Sequence, residues 1–361
     1  MLTTPNQANP RGPAARMVKT TLASLALMTA WLGAATHEIY PDHHSRVFSA
    51  SKEPVGRIHS GDTVVTRTWD SGGADWKGVK HLKHPYEYPE SGNPLMGPFF
   101  IEEAEYGDAL EVHLDRVRCN RNYGYTSYRL APGILNPASI ETLYKNFYQP
   151  DVLRPGRADL IPWDIDLQRS VTSPRLLEGS KFKFDLPLRP MLGCIGVAPP
   201  GEKVETSGPA GNHGGNMDYN DVVEGATVYF PVFHQGAYFY VGDGHAVQGD
   251  GEGLGNGVET SLDVQFTVRV LKGKRLSIPR LENDTHIVSI ASQPEFVSSV
   301  DMAIRSANSD LLDWLTSEFG LTHPEAHLLL GAAVEHKIGT YFGTTTAAVK
   351  KQYLRGRERK R

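Results

Sequence analysis

Apolar and polar positions alternate cleanly at several places along the chain. Leu110, Val112 and Leu114 alternate with Glu111, His113 and Asp115, and Leu262, Val264, Phe266, Val268 and Val270 alternate with Asp263, Gln265, Thr267 and Arg269. A period of two puts every apolar side chain on one face, which predicts strands with one buried side. Apolar stretches at 227–233 and 237–241 flank His234-Gln235-Gly236, a short glycine-containing loop that predicts a hairpin.

A helical period appears only late. Ala303, Ala307, Leu311 and Leu315 recur every fourth residue, with Gly320 placed to end the helix. Thr322 and Glu325 form a capping box with Pro324 in the first turn of a second helix, which carries Leu329, Leu330 and Ala333. Both helices are expected to pack on the β body.

The pattern predicts a mainly β protein (α+β overall). A jelly-roll-like β-sandwich body spans 37–275, with an insertion at about 115–180 whose aromatic residues and prolines cover one edge or mouth. An α+β closing segment follows at 276–345, then a basic tail at 346–361. The tail, with Lys350, Lys351, Arg355, Arg357, Arg359, Lys360 and Arg361, reads as solvated and disordered.

Residues 1–36 read as a disordered lead and a signal peptide. Lys19 precedes an apolar run from Leu22 to Ala35 that is shorter than the roughly 20 residues a spanning helix needs. Export to a secreted or periplasmic location follows if that signal operates, and a cytoplasmic location otherwise. Export would permit a disulfide between Cys119 and Cys194. No integral membrane segment is expected in the mature chain.

Composition narrows the function. The 361 residues carry a formal charge of −4, which argues against a nucleic-acid partner. With 36 glycines and 24 prolines the chain suits a turn-rich β fold over a helical bundle. Two cysteines rule out a disulfide scaffold or a multi-cysteine zinc site.

Candidate chemistry concentrates in 241–257, VGDGHAVQGDGEGLGNG. Its glycines permit tight turns close to a ligand, and Asp243, His245, Asp250 and Glu252 stand between them. Asp243 and His245 are two apart, so an extended segment projects both to one side, as two ligands of one ion require. The carboxylates and the lack of Gly-Lys-Ser/Thr exclude a phosphate loop, and the acid spacing excludes an EF-hand. A second stretch, His213-Gly214-Gly215-Asn216-Met217-Asp218, joins an imidazole, an amide and a carboxylate around glycines. A third places Asp70 at a strand end in Trp69-Asp70-Ser71-Gly72-Gly73. No Gly-x-Ser-x-Gly elbow is present, so a serine hydrolase has no support.

The order of 97–108 (GPFFIEEAEYGD), 186–200 (LPLRPMLGCIGVAPP), 213–218 (HGGNMD), 241–252 (VGDGHAVQGDGE) and then Glu259-Thr260 resembles the acetamidase/formamidase family. The likeness runs from about Gly61 to near Leu330. It implies hydrolysis of short aliphatic amides such as formamide and acetamide, a jelly-roll sandwich and a homodimer. Asn93 stands where the family pattern has a histidine, and the 120–175 connection is longer than the usual one.

Amide hydrolysis needs an activated water, a stabilised oxyanion and a proton for the leaving nitrogen. A divalent metal is the economical source of that water, zinc first and calcium as the alternative. Asp243 and His245 are the expected ligands, with Asp218 and Asp70 as partners from other strands. Glu252 is the expected general base and acid. Asn216 and the amides of Gly214 and Gly215 would hold the oxyanion, with Cys194 beside them at the substrate. Two other readings remain open at this point: a jelly-roll oxygenase whose iron takes His213 as a second histidine, and an exported binding protein on an amidase scaffold.

Overall fold

The computed structural model describes residues 33–84, 87, 92–127, 134–136, 138, 160–175, 181–292 and 299–357. The expected signal segment therefore falls almost wholly outside the described residues, as does most of 128–159. Among the described residues no helix is long and apolar enough to cross a membrane.

The alternating segments form the predicted strands because each has one face to bury. Leu262–Leu271 pairs antiparallel with Thr63–Arg67 on one edge and Ala109–Cys119 on the other. These lie in a nine-stranded sheet ordered Thr36–Glu38, Thr63–Arg67, Leu262–Leu271, Ala109–Cys119, Thr227–Pro231, Arg280–Glu282, His286–Ser292, Thr344–Lys350, Glu335–Ile338. A six-stranded sheet faces it, ordered Ala210–Gly211, Gly214–Asn216, Met191–Gly196, Phe239–His245, Leu95–Ile101, Gly56–Ile58. Phe99 and Phe239 of the second sheet meet Phe266 of the first, at ring-centroid distances of 5.3 and 5.1 Å. One apolar core thus fills the space between the sheets. Each large side chain buried there contributes about 1.5–3 kcal/mol.

The central strands of the six-stranded sheet are buried on both faces. Met191–Gly196 and Phe239–His245 have no exposed residue. That burial explains why the site strands read as apolar and glycine-rich runs without alternation.

The expected hairpin around His234-Gln235-Gly236 is not formed. Thr227–Pro231 belongs to the nine-stranded sheet and Phe239–His245 to the six-stranded one, so the connection crosses the sandwich. Gly236, Ala237 and Tyr238 take positive φ of 83°, 55° and 53°, which swings the chain between layers. The turn is held from outside: Gly236 N–H donates to Ala104 O and Ala198 N–H to Ala237 O. A β-carbon on Gly236 would sit 2.1 Å from the Phe100 ring, so only glycine fits there.

Described parts of the insertion are regular. Tyr123–Ser127, Leu160–Asp166, Val171–Pro174 and Leu186–Pro187 make an antiparallel four-stranded sheet. Trp163 and Ile165 pack there against Ala246 and Val258, beside the glycine-rich segment.

Two helices close the chain. Helix α1, Val300–Ser317, starts at Ser299, whose side chain accepts from Met302 N–H. Its Ala303, Ala307, Leu311 and Leu315 face Ile287, Ala347 and Val349 of the nine-stranded sheet in a second core. Arg280 reaches from the sheet to α1 with two hydrogen bonds to Asp310, at 2.8 and 2.9 Å, and Ser289 adds a third at 2.6 Å. Helix α2, His323–Ala333, carries the predicted Thr322–Glu325 capping box. The basic tail is less solvated than its charge suggests. Thr344–Lys350 is a sheet strand and Leu354 is buried in the turn after it. Cys119 and Cys194 are both free thiols.

Candidate metal centre

The glycine-rich segment folds back on itself. Thr260 N–H donates to Gly244 O and Ala246 N–H to Val258 O, which sets Glu259 opposite His245. The strand Met191–Gly196 lies on the other side. Pairing of Leu192 with Gly244 and of Cys194 with Gly242 puts Gly193 across from Asp243. The turn after Gly214–Asn216 brings in Asp218, whose N–H donates to Gly193 O.

Three of the residues brought together are strained. Asp218, Asp243 and Glu252 take φ of 47°, 58° and 51°, a region that non-glycine residues adopt at a cost of about 1–3 kcal/mol. The spacing argument for Asp243 and His245 assumed a regular extended strand. The geometry differs at Asp243, yet both side chains reach the same place.

Asp218, Asp243 and His245 offer ligand atoms within 4.8 Å of one another, all buried. His245 Nε2 stands 3.5 Å from Asp243 Oδ1 and 3.4 Å from Glu259 Oε1. Asp218 Oδ1, Asp243 Oδ1, His245 Nε2 and Glu259 Oε2 are all buried without a hydrogen-bond partner. Each such orphan costs about 1–3 kcal/mol, more when charged, so the three in the cluster and the one on neighbouring Glu259 need something to satisfy them. A divalent cation does so directly, and one imidazole among carboxylates is a donor set zinc accepts.

The electrostatics agree. Burial, then the neighbouring Glu252 and Asp243, push the Asp218 carboxyl well above its usual range. Burial also raises Glu259. Burial works against charge on His245, but Asp243 and Glu259 hold its proton well above the normal imidazole range. Glu252 is pushed up to about 8, chiefly by burial, with Asp243 and Glu259 adding to it and His245 opposing. Thr340 Oγ1 donates to Glu252 Oε2 at 3.4 Å.

Asp70 is occupied elsewhere. Its Oδ1 accepts from Gly72 and Ala74 N–H, and its Oδ2 pairs with buried Arg121 at 2.8 Å. Asn216 lies beside the cluster: its Nδ2 donates to Asp218 Oδ2 at 2.9 Å, and its Oδ1 accepts from Asn93 Nδ2 at 2.6 Å. Asn93 thus orients the amide. Gly214 and Gly215 sit inside a ladder, paired to Met191–Gly196 on one side and Ala210–Gly211 on the other. Their amides belong to this ladder. Cys194 is fully buried with Phe48, Leu95 and Tyr240, and burial drives its thiol well above the usual range. Asp250 accepts from Asn220 Nδ2 and is no part of the cluster. His213 packs edge-on against Phe48 and is also outside it. The cluster therefore holds one histidine, where the iron oxygenase reading needs two.

Glu259 and Gln248 were not assigned roles from the sequence. Glu259 follows a glycine-rich loop whose path back to His245 no local pattern encodes. The available signal was Gly257, where a β-carbon would come within 2.5 Å of His245 Nδ1.

Residues 196–344 match the model of the Acetamidase/Formamidase family. A predicted acetamidase/formamidase from the thermophile Thermoanaerobacter tengcongensis is similar at 27% identity, with a TM-score of 0.69 over 89% of this chain and 98% of that one. An acetamidase from Bacillus halodurans is similar at 26% identity and TM-score 0.67, over 88% and 98% of the two chains. For an acetamidase from Yersinia enterocolitica the values are 27% and 0.70, over 89% and 93%. No curated protein matches the sequence.

Proposed function

We propose that the protein hydrolyses short linear amides to ammonia and a carboxylate at a divalent metal held by Asp218, Asp243, His245 and Glu259. The observation that carries this reading is the cluster of Asp218, Asp243 and His245, each with an orphaned buried ligand atom, and Glu259 beside it at 3.4 Å from His245 Nε2. The family match and the acetamidase neighbours support amide hydrolysis as the reaction class. Glu259 takes the place that Asp70 held in the sequence reading, because both Asp70 oxygens are engaged.

When bound, the metal supplies a water of lowered pKa and polarises the amide carbonyl. The chain supplies the rest. Glu252, with its proton held to about 8, exchanges it near neutral pH. It takes the proton of the attacking water and delivers it to the leaving nitrogen. Asn216 has two amide hydrogens and gives one to Asp218, so the other is available to the carbonyl oxygen as it gains charge. Asn93 fixes that direction by occupying the Asn216 oxygen.

The test is ammonia release from formamide, acetamide and propionamide by purified protein, before and after chelation and after zinc or calcium is returned. Release that chelation abolishes and one ion restores is expected, and the substrate ranking measures the acyl chain accepted. No release with either ion overturns the reading. The homodimer implied by the family resemblance belongs to the same proposal and is checked by light scattering.

A further inference from the structure

We infer that Gln248 is the positioning residue that makes His245 a ligand through Nε2. The inference rests on the metal reading above but adds a role that the ligand set does not contain. Gln248 is buried at 9% exposure, and its Nε2 donates to Asp218 O at 2.7 Å and to Gly339 O at 3.4 Å. Two carbonyls on that side admit only the amide nitrogen, so the side chain cannot be flipped. Its Oε1 must then face His245 Nδ1, 2.8 Å away. A carbonyl oxygen only accepts, so Nδ1 carries the proton. Nε2 is then the nitrogen that gives up its proton when a metal binds; it faces Glu259 and Asp243 at 3.4–3.5 Å and makes no hydrogen bond.

The anchors matter as much as the contact. Asp218 O belongs to the residue whose carboxylate shares the cluster. Gly339 O belongs to the turn that also supplies Thr340 to Glu252. One side chain therefore sets the tautomer of the histidine ligand, pins the backbone of a carboxylate ligand, and fastens both to the C-terminal hairpin. A histidine ligand held this way by a second-layer partner loses about 10- to 100-fold in metal affinity when that partner is removed.

The experiment measures zinc affinity by competition with a chromophoric chelator, and the His245 ring nitrogens by long-range ¹H–¹⁵N spectra, with and without zinc. Gln248→Met, close in shape but lacking both polar groups, is expected to weaken zinc binding about 10- to 100-fold while melting cooperatively. It is also expected to lose the protected Nδ1 proton seen in the parent. Gln248→Glu keeps an acceptor toward Nδ1 but loses the donor to both carbonyls, and is expected to recover only part of the affinity. Unchanged zinc affinity and an unchanged His245 spectrum in Gln248→Met overturn the inference, even if the enzyme is a zinc amidase. If Gln248→Met fails to fold, the parent spectrum decides: a protected proton on Nδ1 supports the inference, and a bare Nδ1 overturns it. A parent that takes up no zinc but shows the protected Nδ1 proton removes the metal reading alone.

Discussion

Gly193 and Asp243 face each other so closely that a β-carbon on the glycine would lie 2.5 Å from Asp243 Oδ2. The same β-carbon would lie 2.5 Å from Asp218 Oδ1. Two carboxylates therefore share the space that any other residue would fill. The absent side chain is what allows ligands from different strands to converge.

Gly193→Ala is expected to keep the fold and lose the site. Both crowded atoms belong to proposed ligands, and Gly193 carries no positive-φ requirement, so backbone strain does not enter. The methyl group pushes the carboxylates outward, and displacing a ligating atom by even about 1 Å costs roughly 100-fold in rate. Calorimetric titration with zinc, alongside thermal melting, checks this. Parent-like zinc binding in Gly193→Ala would show that the convergence is incidental.

Glu252 is proposed to exchange a proton rather than to bind the metal, and a substitution separates the two roles. Glu252→Gln keeps the side-chain shape and an acceptor for Thr340, but it cannot exchange a proton. Zinc affinity is expected to stay within a few-fold, while kcat falls by about 10²–10⁴, the usual contribution of a general base. Normal turnover in this variant removes Glu252 from the mechanism.

Which features the sequence revealed follows from what each residue touches. The strands at 110–114 and 262–270 were legible because each has a single buried face, and α2 because its cap lies within four residues. Position in the sandwich was not legible. The 227–241 stretch has the pattern of a hairpin, but the pattern is silent on which sheet each half joins. Only the left-handed turn at 236–238 and the Phe100 ring decide it. In the site, Asp243, His245 and Asp218 stood out as polar residues among glycines. Asp70 looked equivalent until Arg121, distant in sequence, was found to hold it. Glu259 and Gln248 act through partners that strand pairing brings in, and no local spacing records such partners.

Acid sensitivity is expected from a histidine outside the acid–imidazole cluster. His44 is only 3% exposed and sits edge-on to Trp69, with Arg46 Nε donating to its Nε2 at 3.3 Å. Burial, then the charges of Arg46 and its neighbours His81, His43 and Lys83, lower its pKa from 6.5 to about 3. Above pH 6.5 both the folded and the unfolded histidine are neutral, and the site is indifferent to pH. Below 6.5 the unfolded chain takes up a proton that the folded chain refuses until about pH 3, so stability falls as pH falls through that window. The slope approaches about 1.4 kcal/mol per pH unit for one proton. His44→Gln keeps an acceptor for Arg46 and removes the titration. Urea unfolding at pH 7.5, 6 and 5 is therefore expected to show the parent losing stability relative to His44→Gln by a widening margin as the pH drops. A constant difference across those pH values would mean that His44 takes up its proton equally in the folded and unfolded states, so that burial and Arg46 do not depress its pKa.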